Sequence, residues 1–292
     1  LCTELFESSG VDPQYTRSGL LIVDADEEQR VDQWVSEYGI HLERPGQATA
    51  QLVPVLSPQL PVDEVAWLPD IAQVRNPRLV RALRLALEAR GVTILTGTEV
   101  TGFVHTAGRV SGVVTREGKT LEAGNIVVAG GAWSAGLLAE TGLPLPVVPI
   151  KGQMMLFRAE PGQIRPIILY KDHYVIPRRD GRVVVGSTLE QVGFDKTTTA
   201  AAREELLDAA TSIVPLLAQC PVEQHWAGLR PGSPDGIPYI GEHPEIKGLF
   251  VNAGHFRNGV VLGPASAHVL ASRLTGTACD LDASPYDPAL LI

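Results

Sequence analysis

The sequence predicts an α/β (α+β) fold built from two interleaved parts, and three observations carry that reading. Helix and strand signals alternate over the first half. The run from Val147 to about Pro231 turns β-rich, and the chain closes on a strand, Leu249 to Ala253, that leads directly into an apolar helix from Val260 to Leu274.

Taken in order, "SGLLIVDADEEQRVDQWVSEYG" reads as a strand, Leu20 to Val23, then a helix capped by Asp24 or Asp26. From Ile40 to Pro69 the chain is rich in proline and weak in periodicity, so short pieces are expected there. "RNPRLVRALRLALEARGVTIL" gives the clearest helix. Asn76 is its expected N-cap, Pro77 its first helical residue, and Leu79, Leu83 and Leu87 its apolar face; Gly91 ends it before a strand, Val92 to Leu95. Further strands are expected in "RVSGVVTREG" and "NIVVAGG", the second uniformly apolar, as for a strand covered on both faces.

The β-rich stretch consists of "VVPIKGQMMLFRAE", "IILYKDHYVIPRRDGRVVVGSTLE" and "VEQHWAGLRP", alternating or β-branched and broken by turn residues, which predicts an antiparallel sheet. A hairpin turn is expected at Arg179 to Gly181. One helix interrupts the sheet from about Ala200 to Leu217, with Leu206, Leu207, Ala210, Ile213 and Val214 apolar.

Composition removes several function classes. Hydrophobic residues make up 45% of the chain and the formal net charge is -9. Lys and Arg are scattered, so nucleic acid and acidic membrane surfaces are not expected partners. Cys2, Cys220 and Cys279 are odd in number and widely separated, which argues against a disulfide framework or a zinc site and for a reducing, cytoplasmic setting. No apolar run is long enough to span a bilayer, and no basic-then-apolar leader opens the chain. GxSxG, GxxxxGK[ST], HExxH and GxGxxG are all absent, as is a paired Asp/Glu motif placed for acid/base work.

Four stretches could carry chemistry. In "GHFRNG", Gly254 and Gly259 bracket His255, Phe256, Arg257 and Asn258 ahead of Val260. Backbone donors of this loop and of the helix start would converge on an anion or electron-rich ring edge, unless the segment is only a tight strand-to-helix turn. In "WAGLRPGSPDGIPYIG", Arg230 suits a substrate carboxylate or a structural ion pair with Asp235 or a nearby Glu. Tyr174 offers a hydroxyl to a ligand or a ring to sheet packing, and its neighbour His173 is ambiguous. Gly130 and Gly131 follow an apolar strand in "NIVVAGGAWSAGLL", where a cofactor border and a plain turn share one string.

Together and in this order, "RNPRLVRAL", "VVAGGAWS", "PIKGQMM", "HYVIPRRDGRVVVGSTLE", "WAGLRPGSPDGIPYIG" and "GLFVNAGHFRNGVVLGPA" resemble the flavin-dependent D-amino-acid oxidase superfamily, and most closely its glycine oxidases of thiamine biosynthesis. The resemblance implies an FAD-binding domain of the glutathione-reductase type, at 75–150 and 227–292, interleaved with a substrate domain on an antiparallel sheet, at 1–74 and 151–226. It implies noncovalent FAD bordered by Gly130, Gly131, Trp133, Gly254, His255, Arg257, Asn258, Gly259 and Val260. Covalent-flavin relatives attach the ring through a Cys near the WAGLRP region, and Cys220 lies several residues too early.

By the same match, Arg230 resembles the family's carboxylate-binding Arg, Tyr174 its partner hydroxyl, and Arg257 a second cation near the substrate. The implied reaction is oxidative deamination of glycine or a similar small amino acid. Hydride passes from the α-carbon to flavin, giving an imine or oxo acid, ammonia and, with oxygen, hydrogen peroxide. Related D-amino-acid dehydrogenases carry a GHGxxGW-like loop, from which His255-Phe256-Arg257 departs; such an amine oxidoreductase, or a non-catalytic binding remnant, is the alternative. Family members are often tetramers, so a homo-oligomer is also expected. The family opens with a strand, a Gly-rich turn and a helix that hold the ADP half of FAD. Leu1 aligns after that unit, and the expectation is that residues 1–292 alone lack the pyrophosphate cradle.

Overall fold

A computed structural model describes residues 1–23, 25–61 and 65–291, and for residues 25–30 the backbone alone. In chain order it contains α1 (Cys2–Ser9), β1 (Thr16–Arg17), β2 (Leu20–Ile22), α2 (Ala25–Tyr38), α3 (Thr49–Leu52), β3 (Ala66–Leu68), β4 (Ala72–Gln73) and α4 (Asn76–Ala89). Next come β5 (Val100–Thr106), β6 (Arg109–Thr115), β7 (Thr120–Glu122), β8 (Ile126–Val128), α5 (Ser134–Leu138), β9 (Val148–Arg158), β10 (Ile167–Tyr170), β11 (His173–Pro177) and β12 (Arg182–Gly186). The chain ends with α6 (Ala200–Ile213), β13 (Val222–Gly232), β14 (Tyr239–Glu242), β15 (Leu249–Ala253) and α7 (Gly259–Thr275). No helix among the described residues is long and apolar enough to cross a membrane.

Two compact units share this chain. Unit 1 comprises Leu1–Ile94, Gln153–Thr188 and Thr197–Ala227; unit 2 comprises Leu95–Gly152, Leu189–Lys196 and Gly228–Ile292. The chain changes unit inside β9 and again inside β13.

Unit 1 is organised by a seven-stranded sheet of order β13-β9-β12-β11-β10-β2-β3. The period-two pattern read from the sequence sets its faces. Met155 and Phe157 of β9, Val175 of β11, and Val183 and Val185 of β12 are buried against Leu206, Ala210 and Ile213 of α6. The alternate residues, Met154, Leu156, Tyr174, Ile176 and Val184, are half-buried on the other face. The β11–β12 hairpin turns as expected, with the Arg178 N–H bonded to the Arg182 carbonyl at 2.7 Å and Gly181 at φ 83°.

Several expectations change in detail. The helix cap expected at Asp24 lies outside the described residues, and Asp26 falls inside α2. Arg75, in extended conformation, is the N-cap of α4 and Asn76 is its first residue, with Pro77 in the first turn, where no N–H is needed for a helix bond. The buried face of α4 is Ala82 and Ala86, packed with Leu5 of α1, while Leu83 and Leu87 are exposed. Two alanines bring helix backbones closer than a leucine row would. No strand forms at 92–95 among the described residues, and Val92, Ile94 and Leu95 are exposed. The helix from Ala200 ends at Ile213, since Pro215 holds Val214 extended and starts a separate 3-10 turn.

Unit 2 holds a three-stranded sheet of order β14-β15-β8, in which β15 and β8 run parallel, and an antiparallel β5-β6-β7 meander. Its core gathers Val128, Leu138, Leu143, Val147, Leu249 and Val251, and α7 adds Val269 and Leu270 against Ile240 and Phe250. β8, expected to be covered on both faces, lies at an edge of the described sheet with Val127 exposed. His243 is 3% exposed, and its Nδ1 accepts from the N–H groups of Glu245 and Ile246, each at 3.1 Å.

Two outcomes follow. A Cβ at Gly181 would lie 2.3 Å from the Ala159 carbonyl oxygen and 2.9 Å from the Pro161 nitrogen, at a φ that strains any other residue. Gly181→Ala should destabilise unit 1 by more than ~1 kcal/mol, read as a lower urea midpoint. For His243, burial lowers the pKa below its ordinary value, against smaller raising effects of Glu245 and Thr141. The folded state therefore refuses a proton that the unfolded chain accepts below about pH 6.5. Its stabilising contribution is complete above that pH and is lost as pH falls below it. Urea midpoints should drop between pH 7.5 and 5.5, and His243→Asn should flatten that drop.

Candidate functional site

Arg230 sits near the end of β13, beside the neighbouring strand β9. A Cβ placed on Gly152 would lie only 2.1 Å from Arg230 Nη1 and 2.5 Å from Cζ. The guanidinium thus rests on bare β9 backbone, in a space that any side chain at 152 would occupy. Glycine in a strand interior weakens it and often marks such a close approach. Here the group that approaches is a cation with a planar fork suited to a carboxylate.

The preceding residue points the opposite way. Lys151 has a side chain only 2% exposed, with Nζ 3.1 Å from Glu190 Oε2 and 3.7 Å from Asp195 Oδ2. A backbone bridge between Lys151 and Glu190 joins the same segments, with both N–H to carbonyl bonds at 2.9 Å. Residues 189–196 are thereby strapped to β9. The strap carries Phe194, whose ring lies 5.6 Å from the Trp133 ring, and Lys196, whose Nζ lies 5.9 Å from that ring.

The GHFRNG loop is stapled to the strand that carries Arg230. The Phe256 N–H donates to the Pro231 carbonyl at 3.0 Å, and Ser233 Oγ donates to the Gly254 carbonyl at 2.7 Å. Gly254 has φ 84°, and a Cβ there would press on Val147, Ser233 and Tyr239 at 3.2 to 3.4 Å. Phe256 and Asp235, one in each of the two motifs, also hold positive φ, 45° and 56°. His255 Nε2 lies 2.8 Å from Ser266 Oγ, which ties the loop to α7, and burial lowers the His255 pKa from its ordinary value.

α7 then begins at Gly259 with Asn258 as N-cap, whose side chain makes no capping bond. Arg257 to Val261 are exposed, Val261 at 81%. The N–H groups of the first turn therefore lie open beside an arginine and two bare valines, an arrangement that favours a negative partner with an apolar body.

Gly130 and Gly131 follow β8, Gly131 at φ 56°, and lead into α5. Among the described residues, two buried oxygens near the carboxyl ends of the parallel pair have no hydrogen-bond partner, Ser134 Oγ in α5 and Asn252 Oδ1 on β15. Such orphans mark a place where a polar ligand group completes the structure. Parallel sheets collect ligands at that end. The open helix start and these oxygens fit a flavin-type cofactor with polar edges and an apolar ring.

Tyr174 belongs to unit 1. A cross-strand row joins Tyr174, Gly186 and Met154, and the Tyr174 hydroxyl donates to Met154 Sδ at 3.3 Å. A Cβ at Gly186 would lie 2.8 Å from that hydroxyl, so a second glycine lets the ring lie across β12. His173 Nε2 lies 3.2 Å from Glu205 Oε1, at the exposed edge of α6.

Unit 2 thus brings together Arg230, the GHFRNG loop and the start of α7. Gly152, Gly186, Lys151, Ser134 and Asn252 were not among the expected site residues. A glycine inside each of two β-rich strings, "PIKGQMM" and "RVVVGSTLE", was the available signal for the first two.

A family model described as FAD dependent oxidoreductase matches residues 1–273. The chain is 46% identical over 286 residues to a glycine oxidase of Pseudomonas putida, covering 97% of this chain and 78% of that protein. It is 42% identical over 287 residues to a glycine oxidase of Pseudomonas aeruginosa, covering 98% and 78%. The crystal structure of glycine oxidase from Geobacillus kaustophilus superposes with a TM-score of 0.91 at 30% identity, covering 98% of this chain and 78% of that one.

The Arg230 seat gives a direct expectation. Gly152→Ala should push the guanidinium off β9 and weaken binding of a simple monocarboxylate such as acetate by about tenfold or more, measured by calorimetry, with far-UV circular dichroism unchanged.

Proposed function

The chain belongs to the FAD-dependent oxidoreductase family, and from that premise we propose that it oxidatively deaminates glycine or a similarly small amino acid. The overall reaction oxidises the bond between the α-carbon and nitrogen to an imine, which water hydrolyses to an oxo acid and ammonia, with oxygen reduced to hydrogen peroxide. FAD, when bound, supplies the two-electron acceptor.

The observation that carries the reading is the seat of Arg230 on Gly152, tied through Pro231 and Phe256 to the open start of α7. In this reading Arg230 pairs bidentately with the substrate carboxylate. Arg257 supplies a second cation. Held by its carboxylate, the amino acid has its α-carbon fixed in orientation, which is where most of the advantage of positioning arises. Once its ammonium has released a proton to water, the neutral amine loses its α-hydrogen as hydride with no further protein acid or base required.

Gly130, Gly131, Trp133 and the loop Gly254 to Val260 are the residues proposed to border the flavin. The N–H groups at the start of α7 and Arg257 would favour negative charge on it. Noncovalent binding is supported by Cys220, which lies in the half-buried turn before β13 with its pKa raised by burial and then by Glu160, as a thiol and not a thiolate. A cytoplasmic setting is part of the same reading, supported by the odd number and wide separation of the three cysteines. A dehydrogenase of the same superfamily is not favoured, because the relatives described above are oxidases by name.

Arg230→Ala should raise the KM for glycine by about tenfold to a hundredfold, the loss expected for a charge-assisted bidentate pair, while Arg230→Lys recovers only part of it. Steady-state peroxide release measures both. Unchanged kinetics in Arg230→Ala would remove Arg230 from the site.

A further inference from the structure

Unit 1 contains a cavity of ≈ 410 Å³ that the reading above leaves unused. Met154, Leu156, Val184 and Trp226 give it an apolar lining, and Arg75, Arg178 and Arg182 give it cations. Arg75 and Arg182 share Asp180, each at 2.8 Å. Arg182 and Arg158 share Glu223, at 2.8 and 2.6 Å. Those pairs hold Asp180 down at a pKa of about 2 in spite of its burial.

Arg178 is different. Its Nη1 donates only to neutral oxygens, Gln73 Oε1 at 2.7 Å and the Val74 carbonyl at 2.9 Å. Among the described residues, its Nε and Nη2 have no hydrogen-bond partner. Four guanidinium groups in this cluster therefore face two carboxylates, and the unmatched charge lies at the cavity. Burial, and then the charge of Arg75, lowers the pKa of Arg178 against smaller raising effects of Asp180 and Tyr174. Such a group is stabilised by an anion that brings its own charge and accepts two parallel N–H bonds.

We propose that this cavity binds a small organic carboxylate with an apolar body, its carboxylate on Arg178 and its carbons against Met154, Leu156 and Val184. The planar fork matches a carboxylate in geometry, and the apolar lining gains from contact with hydrocarbon where a hydrated phosphate would not. Arg230 takes no part, so the inference stands apart from the proposed reaction.

Trp226 lines the cavity and reports on its occupancy. Titration of the full chain with 4-nitrobenzoate, whose nitroaromatic ring quenches indole emission, should remove a saturable part of the tryptophan fluorescence. Trp226→Phe should lose that part. Arg178→Met should weaken the titration by at least about tenfold. Val184→Phe, which fills the lining and touches no cation, should weaken it as well, so a folding defect in one variant does not decide the matter. Arg230→Ala should leave it unchanged. The proposal is overturned by a native chain without saturable quenching, by unaltered titrations in Arg178→Met and Val184→Phe, or by loss of quenching in Arg230→Ala. Displacement of the probe by inorganic phosphate at equal concentration would overturn the carboxylate class. A failed Arg230 kinetic test would leave these outcomes as they are.

Discussion

The candidate site depends on two consecutive residues of β9 that face opposite ways. Gly152 must present no side chain, because the guanidinium of Arg230 occupies the volume a Cβ would need. Lys151, on the other side of the strand, is among the largest fully buried side chains of the protein. A buried ammonium is costly to desolvate, and removing its partners from such a pair typically costs ~3–5 kcal/mol. With Glu190 and Asp195 at hand, that cost becomes a constraint. The strap 189–196 must lie where its carboxylates reach Lys151, and that placement in turn brings Phe194 and Lys196 to Trp133.

A flexible seat would waste the charge it presents. The arginine fork gains its specificity from a fixed plane, and β9 is held by sheet partners and by the Lys151 clamp before any ligand arrives. The same device recurs at Gly186, where a missing side chain lets the Tyr174 ring lie across β12. In both places a glycine inside a strand trades some strand stability for a functional side chain laid flat on backbone. The arginine and tyrosine were conspicuous as residue types, whereas the glycines beneath them define where those groups can be.

This difference explains what the sequence discloses. Hydrophobic alternation in "GRVVVG" and "QMMLFR" reveals both sheet faces, because burial on one side of a pleated strand writes a period of two directly into the residues. Strand Leu249–Ala253 and the loop that follows it are equally legible, since glycine-bracketed turns are local. Long-range choices are not. Leu83 and Leu87 look like a buried stripe, yet Ala82 and Ala86 face α1, a decision made by the partner helix and not by α4 itself. Val92 to Leu95 read as a strand but gain no ladder among the described residues, and local propensity alone does not make a strand. Lys151 is hardest of all to see, because its carboxylate partners lie some forty residues along the chain.

Electrostatics sets how these pieces recruit a ligand. With a formal charge of -9, the chain as a whole does not attract anions. At physiological ionic strength, however, charges are screened over about 8 Å, so the long-range field counts for little beside the groups that touch the ligand. A zwitterionic amino acid, the proposed substrate, carries no net charge and is indifferent to that field. It would sense only the local order of groups, with a cation seated at Gly152 for its carboxylate. A simple anion has to overcome the global charge with nothing to offset it except a local excess of guanidinium, and the Arg178 cavity is where unit 1 supplies one. Both sites thus select by the same rule, in which acidity overall leaves discrimination to arginines that the fold has fixed in place.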